Sequence, residues 1–149
     1  SNNNSSIPSK YIKNGDLKMS GNETLDLSGG VYYFDSMQMS GNSLINVTGP
    51  VTIYVNGGID LTGNFDTYNN APGNLKIISL SSADVKLAGN ADLFATVYAP
   101  LADVKVTGNG DLFGAVVGRT LTITGNGDLH YDTSLPDPGA GTAVITLVK

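Results

Sequence analysis

The only histidine, His130, sits in the run Asp128-Leu129-His130-Tyr131-Asp132, an imidazole between two carboxylates. That donor set could hold a metal ion. Ligands two apart on a strand point the same way without converging, however, and zinc sites usually need further nitrogen or sulfur donors. The chain has no Cys. His130 therefore reads as a residue of a last, capping turn. No Ser-His-Asp order suited to acyl transfer can be argued. A second set is acidic: Asp92, Asp111 and Asp128, joined by Asp66, recur at equivalent places of a repeated run. Carboxylates about 5 Å apart repel by roughly 1 kcal/mol per pair in a watery dielectric. Hydrogen bonds from the backbone of each acid's own Gly-Asn corner would offset that. Screening by Lys86 and Lys105, or Ca²⁺ held by Asp92, Asp111 and Asp128, are the other routes. Corner hydrogen bonds are the preferred reading, and no cofactor is expected. Paired acids across a groove also suit glycoside cleavage. Arg119 is the only Arg, though, and such enzymes carry clustered acids and bases on one face, so the chain is not expected to be an enzyme. The third set is aromatic: Phe94, Phe113 and His130 fall on one face and form a candidate partner stripe, although cover by VITLVK or by the 65–74 loop is the preferred reading of the two phenylalanines.

These residues need a scaffold, and composition limits which. The chain has 149 residues, 19 of them Gly, with 14% charged and 40% hydrophobic residues. One domain is expected. Without Cys there is no disulfide framework or thiolate metal site. No apolar run is long enough to span a bilayer. No charged-then-apolar leader opens the chain, so a signal peptide is taken as absent or removed. A net charge of −5 without a basic cluster argues against nucleic acid as a partner.

The scaffold shows itself as a repeat. One box, apolar-x-apolar-small-Gly-Asn, reads LKMSGN at 17–22, MQMSGN at 37–42, IDLTGN at 59–64, VKLAGN at 85–90, VKVTGN at 104–109 and LTITGN at 121–126. The spacings are 20, 22, 26, 19 and 17 residues. Between boxes lie short strand-like runs closed by Gly turns, such as LINV, VTIYV and IDL. Three short strands per period of about 20 residues predict an all-β fold, a right-handed parallel β-helix of about six coils. No segment keeps a helical period.

Stacking turns the repeat into columns. Leu17, Met37, Ile59, Val85, Val104 and Leu121 should face inward, as should Met19, Met39, Leu61, Leu87, Val106 and Ile123. Between them, Lys18, Gln38, Asp60, Lys86, Lys105 and Thr122 should face water. The corner pairs are Gly21-Asn22, Gly41-Asn42, Gly63-Asn64, Gly89-Asn90, Gly108-Asn109 and Gly125-Asn126. Gly supplies positive φ, and stacked Asn side chains form a structural ladder. The second-face strands taper from VYYF through VTIYV to AVVG. Residues 1–10 read as a disordered lead-in, 11–135 as the solenoid, and 136–149 as a linker plus a terminal strand, VITLVK. The 68–74 loop, YNNAPGN, should protrude. A Ser/Thr column through Ser20, Ser40, Thr62, Thr107 and Thr124 is broken by Ala88, against an ice-binding array.

The run from Gly29 to Asn64, with Val97-Tyr98-Ala99-Pro100, Gly114-Ala115-Val116-Val117-Gly118 and His130-Tyr131-Asp132, resembles the β-solenoid domain at the C-terminal end of PilX-type pilus-assembly-like and other bacterial surface proteins. The resemblance covers about residues 15–135. It implies an extracellular or cell-surface location and no known catalytic activity. The pilin-like or export segment of such proteins is missing from this chain, which reads as an excised domain or a stand-alone member. The expected role is that of a structural or adhesive module of a pilus-associated or surface protein. Its expected partners are itself, other surface or pilus proteins, or a glycan. A filament subunit joined through VITLVK is the first alternative, and a polysaccharide-binding or -cleaving domain the second.

Overall fold

The computed structural model describes residues 2–135 and 147–148. They form a parallel β-solenoid of about six turns without an α-helix. The first three coils each carry three strands. Coil one has β2 (Asp16–Met19), β3 (Thr24–Leu27) and β4 (Gly30–Phe34), and coil two has β5 (Met37–Met39), β6 (Leu44–Val47) and β7 (Val51–Val55). Coil three has β8 (Ile59–Leu61), β9 (Asn64–Asp66) and β10 (Leu75–Ser79). From coil four the strands lengthen. After β11 (Val85–Gly89), β12 (Leu93–Gly108) and β13 (Leu112–Gly125) each run round an edge of the solenoid, with a register break between Ala99 and Asp103. The last coil closes with β14 (Leu129–Tyr131). In the later coils the strands thus run into one another across the corners, in keeping with their shorter periods of 19 and 17 residues.

The columns hold residue for residue. Leu17 pairs with Met37, Met37 with Ile59, Ile59 with Val85, Val85 with Val104 and Val104 with Leu121. All six are buried. Alternation does this: each strand turns every second side chain inward, so stacking brings like onto like. Each fully buried Leu, Met, Ile or Val contributes about 1.5–3 kcal/mol. On the second face the inward column runs Tyr32, Ile53, Ile77, Val97, Val116, so the expected taper is present.

The lead-in departs from expectation. Residues 3–13 are ordered, cover the β2 and β4 edges of the first coil and touch β3 at one point. β1 (Ile12–Lys13) pairs antiparallel with β2 through a turn at Asn14 and Gly15, both with positive φ. The Tyr11 hydroxyl donates to the Thr24 carbonyl of β3 at 2.9 Å. On β4, Asn3 and Asn4 act as a surrogate strand. The Asn3 N–H donates to the Val31 carbonyl at 2.7 Å, and Asn3 Oδ1 accepts from the Val31 N–H at 3.0 Å. Asn4 Oδ1 accepts from the Tyr33 N–H at 2.9 Å, while its Nδ2 donates to the Tyr33 carbonyl at 2.6 Å. A side-chain amide carries the same donor and acceptor as a peptide group. A polar Asn-rich run can thus satisfy a strand edge.

One further expectation holds only in part. In the 68–74 loop, Tyr68, Asn69 and Asn70 are exposed, whereas the second half folds back. Pro72 is buried, and its carbonyl accepts from the Thr96 hydroxyl. At the far end β15 (Leu147–Val148) pairs with Leu121 and Thr122 of β13, adding a strand to the first face. The rest of VITLVK lies outside the described residues.

Candidate functional site

The acids and aromatics predicted from the repeat come together at the C-terminal half of the solenoid. In β12 and β13, Leu93 and Leu112 turn inward, so alternation places Phe94 and Phe113 outside. The two rings stack with centroids 4.7 Å apart and 11° between planes. His130 extends the stack over Phe113 at 4.5 Å. Thr67 edges this ladder, its hydroxyl donating to the Phe94 carbonyl at 2.8 Å. The stripe stays half-buried, with His130 exposed.

Beside it runs the acidic ladder. Asp92 Oδ1 accepts from the Asp111 N–H at 3.0 Å, and Asp111 Oδ1 from the Asp128 N–H at 2.9 Å. The offset to like-charge repulsion thus comes from the backbone of the following coil, not from each acid's own corner as expected. Asp111 Oδ2 also lies 3.0 Å from His130 Nε2. The Asp128 N–H, and then His130, hold the Asp111 carboxyl below the usual carboxylate range. Among the described residues no three acidic or imidazole groups gather as a metal site would require. Asp66 is not part of this ladder. It pairs with Asn46 in the separate β3-β6-β9 sheet, where Asn46 Nδ2 donates to Asp26 at 3.0 Å.

The Asn ladder exists in two pieces. Asn42 reaches Asn22 at 3.4 Å, and Asn126, Asn109 and Asn90 bond in series at 3.1 and 3.4 Å. Asn64 drops out because it begins β9 and pairs with Leu44, two residues beyond the equivalent Asn42. Gly21, Gly41, Gly108 and Gly125 take positive φ, whereas Gly63 and Gly89 do not. At Gly63 closeness is what excludes a side chain, since a Cβ would lie 2.7 Å from Ser43 Oγ.

Two features escaped the sequence reading. One is the outward column of the second face, in which Tyr33 and Tyr54 stack at 5.0 Å and remain exposed. The register of β4, β7 and β10 would have shown it. The other is an open trough of about 870 Å³ along the first face. Its walls are the outward column from Lys18 to Thr122 and the residues two before it, among them Ser36, Asp84, Asp103 and Thr120. Two of the three lining carboxylates are held in place by hydroxyls: Thr62 donates to Asp60 and Thr120 to Asp103, each at 2.7 Å. At its end Ser36 donates to Asp16, also at 2.7 Å. Arg119 grips Asp103 with two bonds, at 3.0 and 2.5 Å. Arg119, then Thr120, lower the Asp103 pKa.

No curated protein and no solved structure matches the chain. A family model does. Residues 2–137 match the Domain of unknown function (DUF7305), a span that takes in the N-terminal cap and every coil. The chain belongs to that family.

Proposed function

We propose that the chain is a rigid structural or adhesive module of a bacterial surface or pilus-associated protein, acting outside the cell without a catalytic step or bound cofactor. The observation that supports this reading best is the capped first coil. Residues 3–13 cover the edges of β2 and β4 and reach β3 through the Tyr11 hydroxyl. An exposed edge invites strand addition from another chain, and two of the three edges here are occupied. The sides of the solenoid, with their trough and tyrosine stack, are the surfaces left for contact. The resemblance to PilX-type surface proteins supports the location.

The experiment is the association state of the purified chain by light scattering and negative-stain imaging, with and without residues 143–149. A monomer in both forms is expected. Filaments that vanish on truncation would replace this reading with that of a filament subunit joined through its terminal strand.

A further inference from the structure

We propose that the trough binds a neutral, extended polysaccharide along the solenoid axis. This deepens the adhesive reading by naming what the displayed face holds. The side chains at the centre are Lys86 and Lys105, adjacent by register. Neither has an ion-pair partner among the described residues. Around them Asp60 and Asp103 are fixed, by Thr62 and by Arg119 with Thr120. Acceptors already oriented beside uncommitted donors cost little further ordering when a ligand arrives.

The chemistry of the occupant follows from what the trough offers. Every strand of its floor from β5 to β12 is hydrogen-bonded on both sides. No row of free N–H and C=O groups is there for an extended peptide to pair with. No aromatic side chain lines it, so nothing stacks a nucleobase. Its lysines alternate with Asp60, Asp84 and Asp103 on a chain of net charge −5, which disfavours a polyanion. A sugar hydroxyl both donates and accepts, and so satisfies ammonium and carboxylate alike. The polar column advances one coil, about 4.8 Å, per residue. That suits a straight chain rather than a coiled one.

The test is calorimetric titration of the full chain with cellohexaose, a straight β-linked glucose hexamer. Maltohexaose, a curved isomer, and polygalacturonate, a polyanion, serve as comparisons. Cellohexaose should bind best, with affinity nearly unchanged between about 0.1 and 0.5 M salt. Lys86→Ala with Lys105→Ala should weaken it by about tenfold or more, while Tyr33→Ser should leave it unchanged, both variants melting as the parent does. If the double variant does not fold, Asp84→Asn replaces it and should weaken binding in the same direction. No heat with cellohexaose, or a salt-steep preference for polygalacturonate, would overturn the proposal. Binding lost in Tyr33→Ser but kept in the lysine variant would move the site to the tyrosine stack. Failure here leaves the light-scattering result standing, so the two readings fail separately.

Discussion

His130 lies flat on Phe113, ring centroids 4.5 Å apart and planes 12° from parallel. The contact joins the last coil to the one before it. An aromatic pair of this kind is worth about 0.5–1.5 kcal/mol beyond its area. His130→Ala should lower the melting temperature by roughly 2–6 °C. His130→Phe keeps the stack and should recover most of the loss. Calorimetric melts of the two variants check this, and equal losses in both would show the stack to be idle.

Acid should destabilise the fold. Asp111 titrates low because of the Asp128 N–H and His130, and Asp103 because of Arg119 and Thr120. Asp132 does so because of Ser134. A folded pKa below the unfolded one means that the charged form favours folding. That stabilisation is complete above the unfolded value of about 4 and is lost as pH falls through the folded values. Melting temperature should therefore drop as pH falls below about 4. Asp103→Asn with Asp111→Asn should flatten that slope, and a parent melting curve indifferent to acid would sink the argument.

The corner glycines should differ in cost. Gly108 has φ +120°, and a Cβ there would collide with the Gly89 carbonyl oxygen of the neighbouring coil. Gly21 has φ +62° with open space around it. Gly21→Ala should cost about 1 kcal/mol, from backbone strain alone. Gly108→Ala adds displacement of the stacked coil and should cost about 3 kcal/mol or more. Urea unfolding of the two variants measures the order.

The Asn ladder makes a similar contrast. Asn109 bonds to a neighbouring Asn on each side, whereas Asn64 has left the ladder. Asn109→Ala should cost about 1 kcal/mol, and Asn64→Ala clearly less. Equal costs would mean that the ladder's hydrogen bonds add nothing.

Deleting residues 2–11 should expose the first coil's edges. The shortened chain should melt lower and associate in light scattering, while the intact chain stays monomeric. A truncated chain that remained a stable monomer would show the cap to be dispensable.

The columns were legible because two signals agreed, a fixed box and a two-residue alternation. From Leu17 to Leu121 no register was missed. The break at Asn64 was hidden because its box, TGN, is spelled like the others. What differs is the chain after it: β9 begins at Asn64 itself, whereas the equivalent position in β6, Leu44, lies two residues after Asn42. The cap was misread as disorder because composition does not say whether an Asn amide meets water or a strand edge. The acidic ladder was found, but not its bonding direction, since a carboxylate can reach its own corner or the next coil's backbone. The trough was hidden for another reason. Each of its charges looks solvated in sequence, and only register sets Lys86 beside Lys105.

The taper from Tyr32 to Val116 gives the rod a direction. Each coil's interior is cut to the side chains it encloses, and stacked coils must match in width. A coil moved from one end to the other would be too wide or too narrow for its new neighbours. The two ends of the rod are therefore not interchangeable.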